Sequence, residues 1–282
     1  MTRARVSRFE HRLGSGARAF RVPAPALRPH LPQGLIGYRH EQIGFASWLE
    51  PPRPEVTLMI DLDGEISADG SRLPSAWVGG LSQRRTIVGV GPRYGAVDLK
   101  LSPLAARAIL GMDLATLEGD CVPLGAVLGA VGDRLADELR DAPDWDGRFD
   151  VLERWLLQRL AGGPVVDPVV ARAFSLLVVS QGRVRVAPMC AELGVSPRHL
   201  TRRFSAQIGL PPKAVARQLR FAAVRRRLET IGGDRSWTEI ALAAGYFDQA
   251  HLSRDFRELA GITPTEFVTR RIPEGGLVGD GA

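Results

Sequence analysis

Gly245–Phe267 reads GYFDQAHLSRDFRELAGITPTEF, and Gly194–Val215, GVSPRHLTRRFSAQIGLPPKAV, carries much the same pattern 52 residues earlier. At that constant offset His199, Leu200, Arg202, Phe204, Gly209, Pro212 and Val215 correspond to His251, Leu252, Arg254, Phe256, Gly261, Pro264 and Phe267. Before the histidine the later copy has one extra residue. Seven matches at one offset mark an internal duplication of a structural unit.

The spacing dictates what the unit is. Leu200 and Phe204 lie four apart and so share one face of a helix. That face must be buried, because a lone short helix is marginal in water. Cys190 before Gly194, and Ala241 before Gly245, are small residues four positions back. They let two helices approach closely, and the glycine can take the left-handed backbone of a sharp turn. The result is a helix-turn-helix, made twice. The first helix of the earlier unit starts near Ala187-Pro188 without a Ser, Thr or Asp cap.

Rotating the second helix by about 100° per residue turns Arg198, Thr201, Arg202 and Ser205 outward. In the later copy the outward set is Ala250, Ser253, Arg254 and Arg257, with Gln249 at the helix start. Arg and Gln side chains make paired hydrogen bonds to guanine and adenine edges, and a small residue allows contact with a thymine methyl.

The pattern A-x-x-x-G-Y-x-D-x-x-H-L-S-R-x-F-R-x-x-x-G-I-T-P resembles the AraC/XylS family of bacterial transcription regulators, over roughly Asp167–Arg271. The resemblance implies a DNA-binding domain of two helix-turn-helix units, joined here by a long helix over Pro211–Gly232 that opens on proline. It implies base reading by Arg198, Thr201 and Arg202 in the first unit and by Gln249, Ala250, Ser253 and Arg254 in the second. Arg203, Lys213, Arg217, Arg220 and Arg257 are the expected phosphate contacts, supplying the salt-dependent part of binding. Arg225, Arg226 and Arg227 read as a solvated or phosphate-facing surface. Double-stranded DNA is thus the expected partner, with RNA polymerase where the output is activation. A homodimer and a small-molecule effector are further partners to test.

Charge agrees once it is divided. Met1–Val166 holds 20 basic and 20 acidic residues, whereas Asp167–Ala282 holds 17 and 11 and carries the whole net +6. Within Arg183–Arg227, 11 basic residues face one acidic residue, Glu192. Such a concentration is the electrostatic footprint of a nucleic-acid partner or a solvated basic face. No apolar run approaches the roughly 18–20 residues that span a bilayer, and the basic start lacks a signal peptide's apolar core. No membrane role and a cytoplasmic location are expected. Cys121 and Cys190 stand 69 positions apart and read as two packed thiols.

The amino-terminal part has another character. EVTLMIDLDG, AWVGGL, RTIVGV and YGAVDLKL each read as a strand bounded by turn residues, with a hairpin turn at Asp63-Gly64. Helical spacing then governs SPLAARAILG, PLGAVLGAVGDRLADELRDA and GRFDVLERWLLQRLAGG, the last with an apolar face of Phe149, Leu152, Trp155, Leu156 and Leu160. AGGPVVDP, Ala161–Pro168, reads as a linker. The order of strands and helices resembles the cupin-like sensor region joined to many regulators of this family. Tyr38, Phe45, Trp48, Trp77 and Tyr94 pack as core or line an effector pocket. His11, His30 and His40 lack metal-ligand spacing, and no phosphate loop or nucleophile elbow is present. No metal, cofactor or catalytic residue is therefore expected.

The expected fold is an α+β two-domain chain. A β-rich, cupin-like barrel with trailing helices spans 1–165, an all-α double helix-turn-helix spans 166–272, and a loose tail spans 273–282. The function this predicts is sequence-specific transcription regulation, responsive to an effector. A ligand-independent regulator and an enzyme with a DNA-binding appendage are the alternatives.

Overall fold

A computed structural model describes residues 2–11, 14–40, 46–117, 119–230, 236–270 and 277–278. The chain opens as an antiparallel meander: β1 (Arg5–His11), β2 (Gly14–Arg21) and β3 (Leu35–His40) pair in order, Arg5 opposite Phe20 and Phe20 opposite Ile36. Beyond β4 (Ala46–Glu50) come β5 (Val56–Ala68), β6 (Ser71–Arg72), β7 (Ala76–Gly79) and β8 (Thr86–Leu101). The sheet path runs β1-β2-β3-β8-β5-β7 and ends on β9 (Cys121–Pro123), all antiparallel, with β4 beside the first half of β8.

Two expectations are corrected here. Asp63-Gly64 is no hairpin turn, because β5 continues through it and pairs with β8 on both sides. Register shifts between Asp61 and Asp63 and between Gly64 and Ile66 mark bulges instead. Gly64 takes φ +96°, and a Cβ there would lie 2.1 Å from the Arg93 carbonyl oxygen. Likewise RTIVGV and YGAVDLKL are one strand, β8, continuous through Gly91-Pro92.

Alternation assigns the sheet two faces. Leu58, Ile60, Val78, Val97, Leu99 and Leu101 join the main core beneath the helices that follow. These are α1 (Pro103–Leu110), α2 (Leu124–Leu128), α3 (Ala130–Asp141) and α4 (Trp145–Gly162). Ser102 caps α1 by accepting from Ala105 N–H, and Gly129, φ +59°, separates α2 from α3 where the spacing suggested one helix. α4 buries Phe149, Leu152 and Leu156 fully, with Trp155 and Leu160 partly covered. Each full burial is worth about 1.5–3 kcal/mol. Gly37 makes room for the Trp145 ring, which stands 2.0 Å from where a Cβ would be.

The opposite face carries Tyr38, Thr57, Met59, Ile66, Trp77, Tyr94, Asp98 and Lys100 around a cavity of about 230 Å³. Both halves of β5 and of β8 contribute to it, so the sheet bends over itself at the bulges. Tyr38, Trp48, Trp77 and Tyr94 all line this cavity, and Phe45 lies outside the described residues.

The remaining helices are α5 (Pro168–Val179), α6 (Val186–Leu193), α7 (Pro197–Ile208), α8 (Pro212–Thr230), α9 (Trp237–Ala243), α10 (Gln249–Ala260) and α11 (Pro264–Arg270). Among the described residues, none of the helices is long and apolar enough to cross a membrane. Leu277–Val278, β10, pairs with Leu49 and Trp48 of β4, and the rest of the tail lies outside the described residues. The buried residues form three clusters: one runs from Ala19 to Leu219, a second from Phe221 to Phe267, and a third, from Ala46 to Ala96, lies on the sheet. The first two meet within α8.

Candidate nucleic-acid interface

α6 begins at Val186 with no side-chain cap, as its sequence lacks one, and buries Met189 and Cys190. Gly194 then takes φ +65°, and Val195 N–H reaches back to the Cys190 carbonyl at 3.1 Å. This closes the helix with a left-handed residue. Ser196 restarts the chain by accepting from His199 N–H, and Pro197 occupies the first position of α7. Leu200, Phe204 and Ile208 are buried, the Phe204 ring 6.5 Å from that of Phe174 on α5.

The second unit repeats these devices. Ser236 caps α9, Ala241 is buried, Gly245 takes φ +83°, and Tyr246 N–H bonds the Ala241 carbonyl at 2.9 Å. Asp248 caps α10 through His251 N–H at 2.7 Å, 52 positions after Ser196. The extra turn residue is Phe247, 85% exposed, which the sequence reading passed over. Leu252, Phe256 and Leu259 are buried, with the Phe256 ring 4.7 Å from Phe221 and 5.6 Å from Phe267. Gly209 and Gly261, both left-handed, end α7 and α10.

With those faces buried, the opposite faces stand open. Arg198, Thr201 and Arg202 on α7 are exposed, as are Gln249, Ala250, Arg254 and Arg257 on α10, while Ser253 is half-buried. Arg198, Arg202, Arg254, Arg257 and the exposed Lys213 have no side-chain partner among the described residues. The inward neighbours differ sharply. Arg203 pairs with the buried Asp167 and touches the His199 ring, and Asp167 itself caps α5. Arg217 donates to Asp255 at 2.9 Å and to Glu258. Burial alone would lower the Arg217 pKa, but the two carboxylates outweigh it and hold the guanidinium above its ordinary value. Arg220 donates to the Gly182 carbonyl and lies over the Tyr246 ring, 5.6 Å from its centre. Gln218, fully buried, donates to the Ser82 carbonyl of the amino-terminal domain at 2.6 Å.

Asp167 and Asp255 thus hold arginines behind the outward faces, and Gln218 ties α8 to the amino-terminal domain. The acidic partners carried no signal in a single sequence, since either could equally have been solvated.

Residues 189–270 match the helix-turn-helix domain family. The chain is 30% identical over 172 residues to the HTH-type transcriptional regulator GlxA of Rhizobium meliloti, covering 58% of this chain and 52% of that protein. It is 32% identical over 88 residues to the HTH-type transcriptional regulator Rv1931c of Mycobacterium tuberculosis, covering 30% and 32%. The chain therefore spans about half the length of the first and a third of the second. These relatives are regulators, not enzymes. Among solved structures, unsaturated fatty acid bound ToxT from Vibrio cholerae superposes with a TM-score of 0.47 at 10% identity, over 83% of this chain and 94% of that one. An AraC-type transcriptional regulator from Chromobacterium violaceum gives 0.34 at 28% identity, over 38% and 96%. The duplicated unit of this chain is thus a helix-turn-helix domain both by its geometry and by the family model that it matches.

Proposed function

We propose that this chain is a sequence-specific DNA-binding transcription regulator. The observation that carries it is the repeated pairing of a buried Leu/Phe face with an outward face whose arginines have no internal partner. In this reading α7 and α10 enter successive major-groove segments about one helical turn apart, near 34 Å. Arg198, Thr201, Arg202, Gln249, Ala250, Ser253 and Arg254 read bases, and Lys213 and Arg257 contact phosphates. Arg203, Arg217 and Arg220 serve the internal joints they already make. The regulators named above support the same reading. The aromatic-lined cavity supports an effector-sensing role for the amino-terminal domain, and RNA polymerase is the partner where the output is activation.

The test is fluorescence anisotropy of the full chain on its own upstream DNA and on a scrambled duplex, across several salt concentrations. A preference for the native duplex that persists near physiological salt is expected. Equal affinity for both, with and without the carboxy-terminal domain isolated, overturns sequence-specific reading.

A further inference from the structure

The two helix-turn-helix units bury their cores separately, the first with residues of α8 up to Leu219 and the second from Phe221 onward. The shared helix fixes how far apart they stand. Contacts that cross between them fix how one is tilted against the other, and arginines beside the junction make such contacts. Arg220 lies at the junction itself. It donates to the Gly182 carbonyl of the first unit at 2.9 Å, and its guanidinium lies over the buried Tyr246 ring of the second, 5.6 Å from the centre. Arg183, next to Gly182, lies against the turn of the second unit, its Cγ 2.6 Å from where a Cβ at Gly245 would stand. Earlier on α8, Arg217 holds Asp255 and Glu258 of α10.

The loop that presents the Gly182 carbonyl is tightly specified. Gln181 and Gly182 are both left-handed, at φ +52° and +76°, a conformation that is costly for glutamine. Gly182 N–H closes α5 on the Leu177 carbonyl at 2.8 Å, and Ser180 Oγ accepts from Val184 N–H at 3.3 Å. Gly182 lies so close to α8 that a Cβ there would stand 2.0 Å from the Ala216 carbonyl oxygen. Arg220 therefore meets an acceptor held in one place. Two DNA-reading helices carried on one rigid body bind together only where their targets stand at the matching distance and angle. One inserted base pair moves the second target by about 3.4 Å and turns it by roughly 35°, more than a close-packed joint yields. Resting on the reading of α7 and α10 as the helices that enter DNA, we infer that Gly182 and Arg220 are positioning residues, which lock the two units at one mutual angle and so set the base-pair spacing that this chain accepts.

The test measures the full chain by fluorescence anisotropy on the upstream duplex that it prefers. A second duplex carries one base pair inserted between the two bound segments, which hydroxyl-radical footprinting delimits. The readout is the ratio of the two affinities, in which any loss of folded protein cancels. The wild-type chain is expected to bind the native spacing at least tenfold more tightly. Arg220→Met keeps the length and loses the guanidinium, and Gly182→Ala displaces the carbonyl. Each is expected to bring the ratio below threefold. Where one of them does not fold, as read by circular dichroism, the other decides. A ratio above threefold in either folded variant overturns the inference and leaves sequence-specific reading intact. A wild-type ratio below tenfold, or a footprint confined to one segment, does the same. A wild-type chain that prefers no duplex over a scrambled one removes the reading itself, and the inference with it.

Discussion

Arg202 and Arg203 are neighbours with different fates, and the difference is which way one turn of helix points them. Arg202 faces solvent, whereas Arg203 leans on Asp167. The same contrast separates Arg254 from Arg217. Arg254→Ala is expected to cost about 1–3 kcal/mol at the cognate site and to relax base preference there. Anisotropy on a set of single-base variants checks it. Arg217→Ala is expected instead to cost about 2 kcal/mol of stability, read from the urea midpoint, because it strands the buried Asp255. The cost stays below the roughly 3–5 kcal/mol of a fully buried pair, since the Arg217 side chain is 24% exposed. An unchanged midpoint with a flattened salt slope would return Arg217 to the phosphate contacts. Asp61 supplies a pH test. It is buried with Oδ1 unpartnered, and burial raises its pKa to about 7 against the pull of Arg140 and Arg72. The folded value exceeds the unfolded one near about 4. Its contribution is therefore complete below about pH 4 and lost as pH rises through about 7. Asp61→Asn is expected to raise Tm at pH 8 and leave it nearly unchanged at pH 4, by differential scanning calorimetry.

At the scale of elements, turn glycines and periodicity made the helical half legible, and the structure added the caps. Ser196 and Asp248 stand 52 apart and do the same work, and the glycines of both turns take the left-handed backbone that the spacing requires. The strands were less legible. Asp63-Gly64 and Gly91-Pro92 resemble turn dipeptides locally, yet each lies inside a long strand whose pairing holds it extended. A tertiary ladder overrides a local turn signal because it satisfies backbone groups on both sides. Gly64→Ala is expected to lose about 1–3 kcal/mol of stability, since φ +96° is strained for alanine and its Cβ would meet the Arg93 carbonyl. Chemical denaturation checks this, and a neutral result would mean that the bulge is not needed.

At the scale of the whole molecule, α8 belongs to two of the three buried clusters. Ala214, Val215, Ala216 and Leu219 pack into the first cluster, Phe221, Val224 and Leu228 into the second. Its Gln218 holds Ser82, which also lines the cavity mouth. Gln218→Ala is expected to cost about 1–3 kcal/mol of stability, because it leaves the Ser82 carbonyl without its buried donor. The urea midpoint of the full chain checks it, and an unchanged midpoint would mean that this contact does not hold α8 to the sheet. By itself the sequence determined the duplicated unit, its turn glycines, its buried Leu/Phe faces and its outward arginines, because helical periodicity and turn chemistry are local properties. Only the tertiary structure decided which arginines are consumed by internal carboxylates, that two turn-like dipeptides lie within strands, that four scattered aromatics surround one cavity, and that two buried clusters meet inside α8. Each of those depends on which residues distant in the chain are brought into contact, and a burial pattern read along one chain carries no record of the partner across the gap.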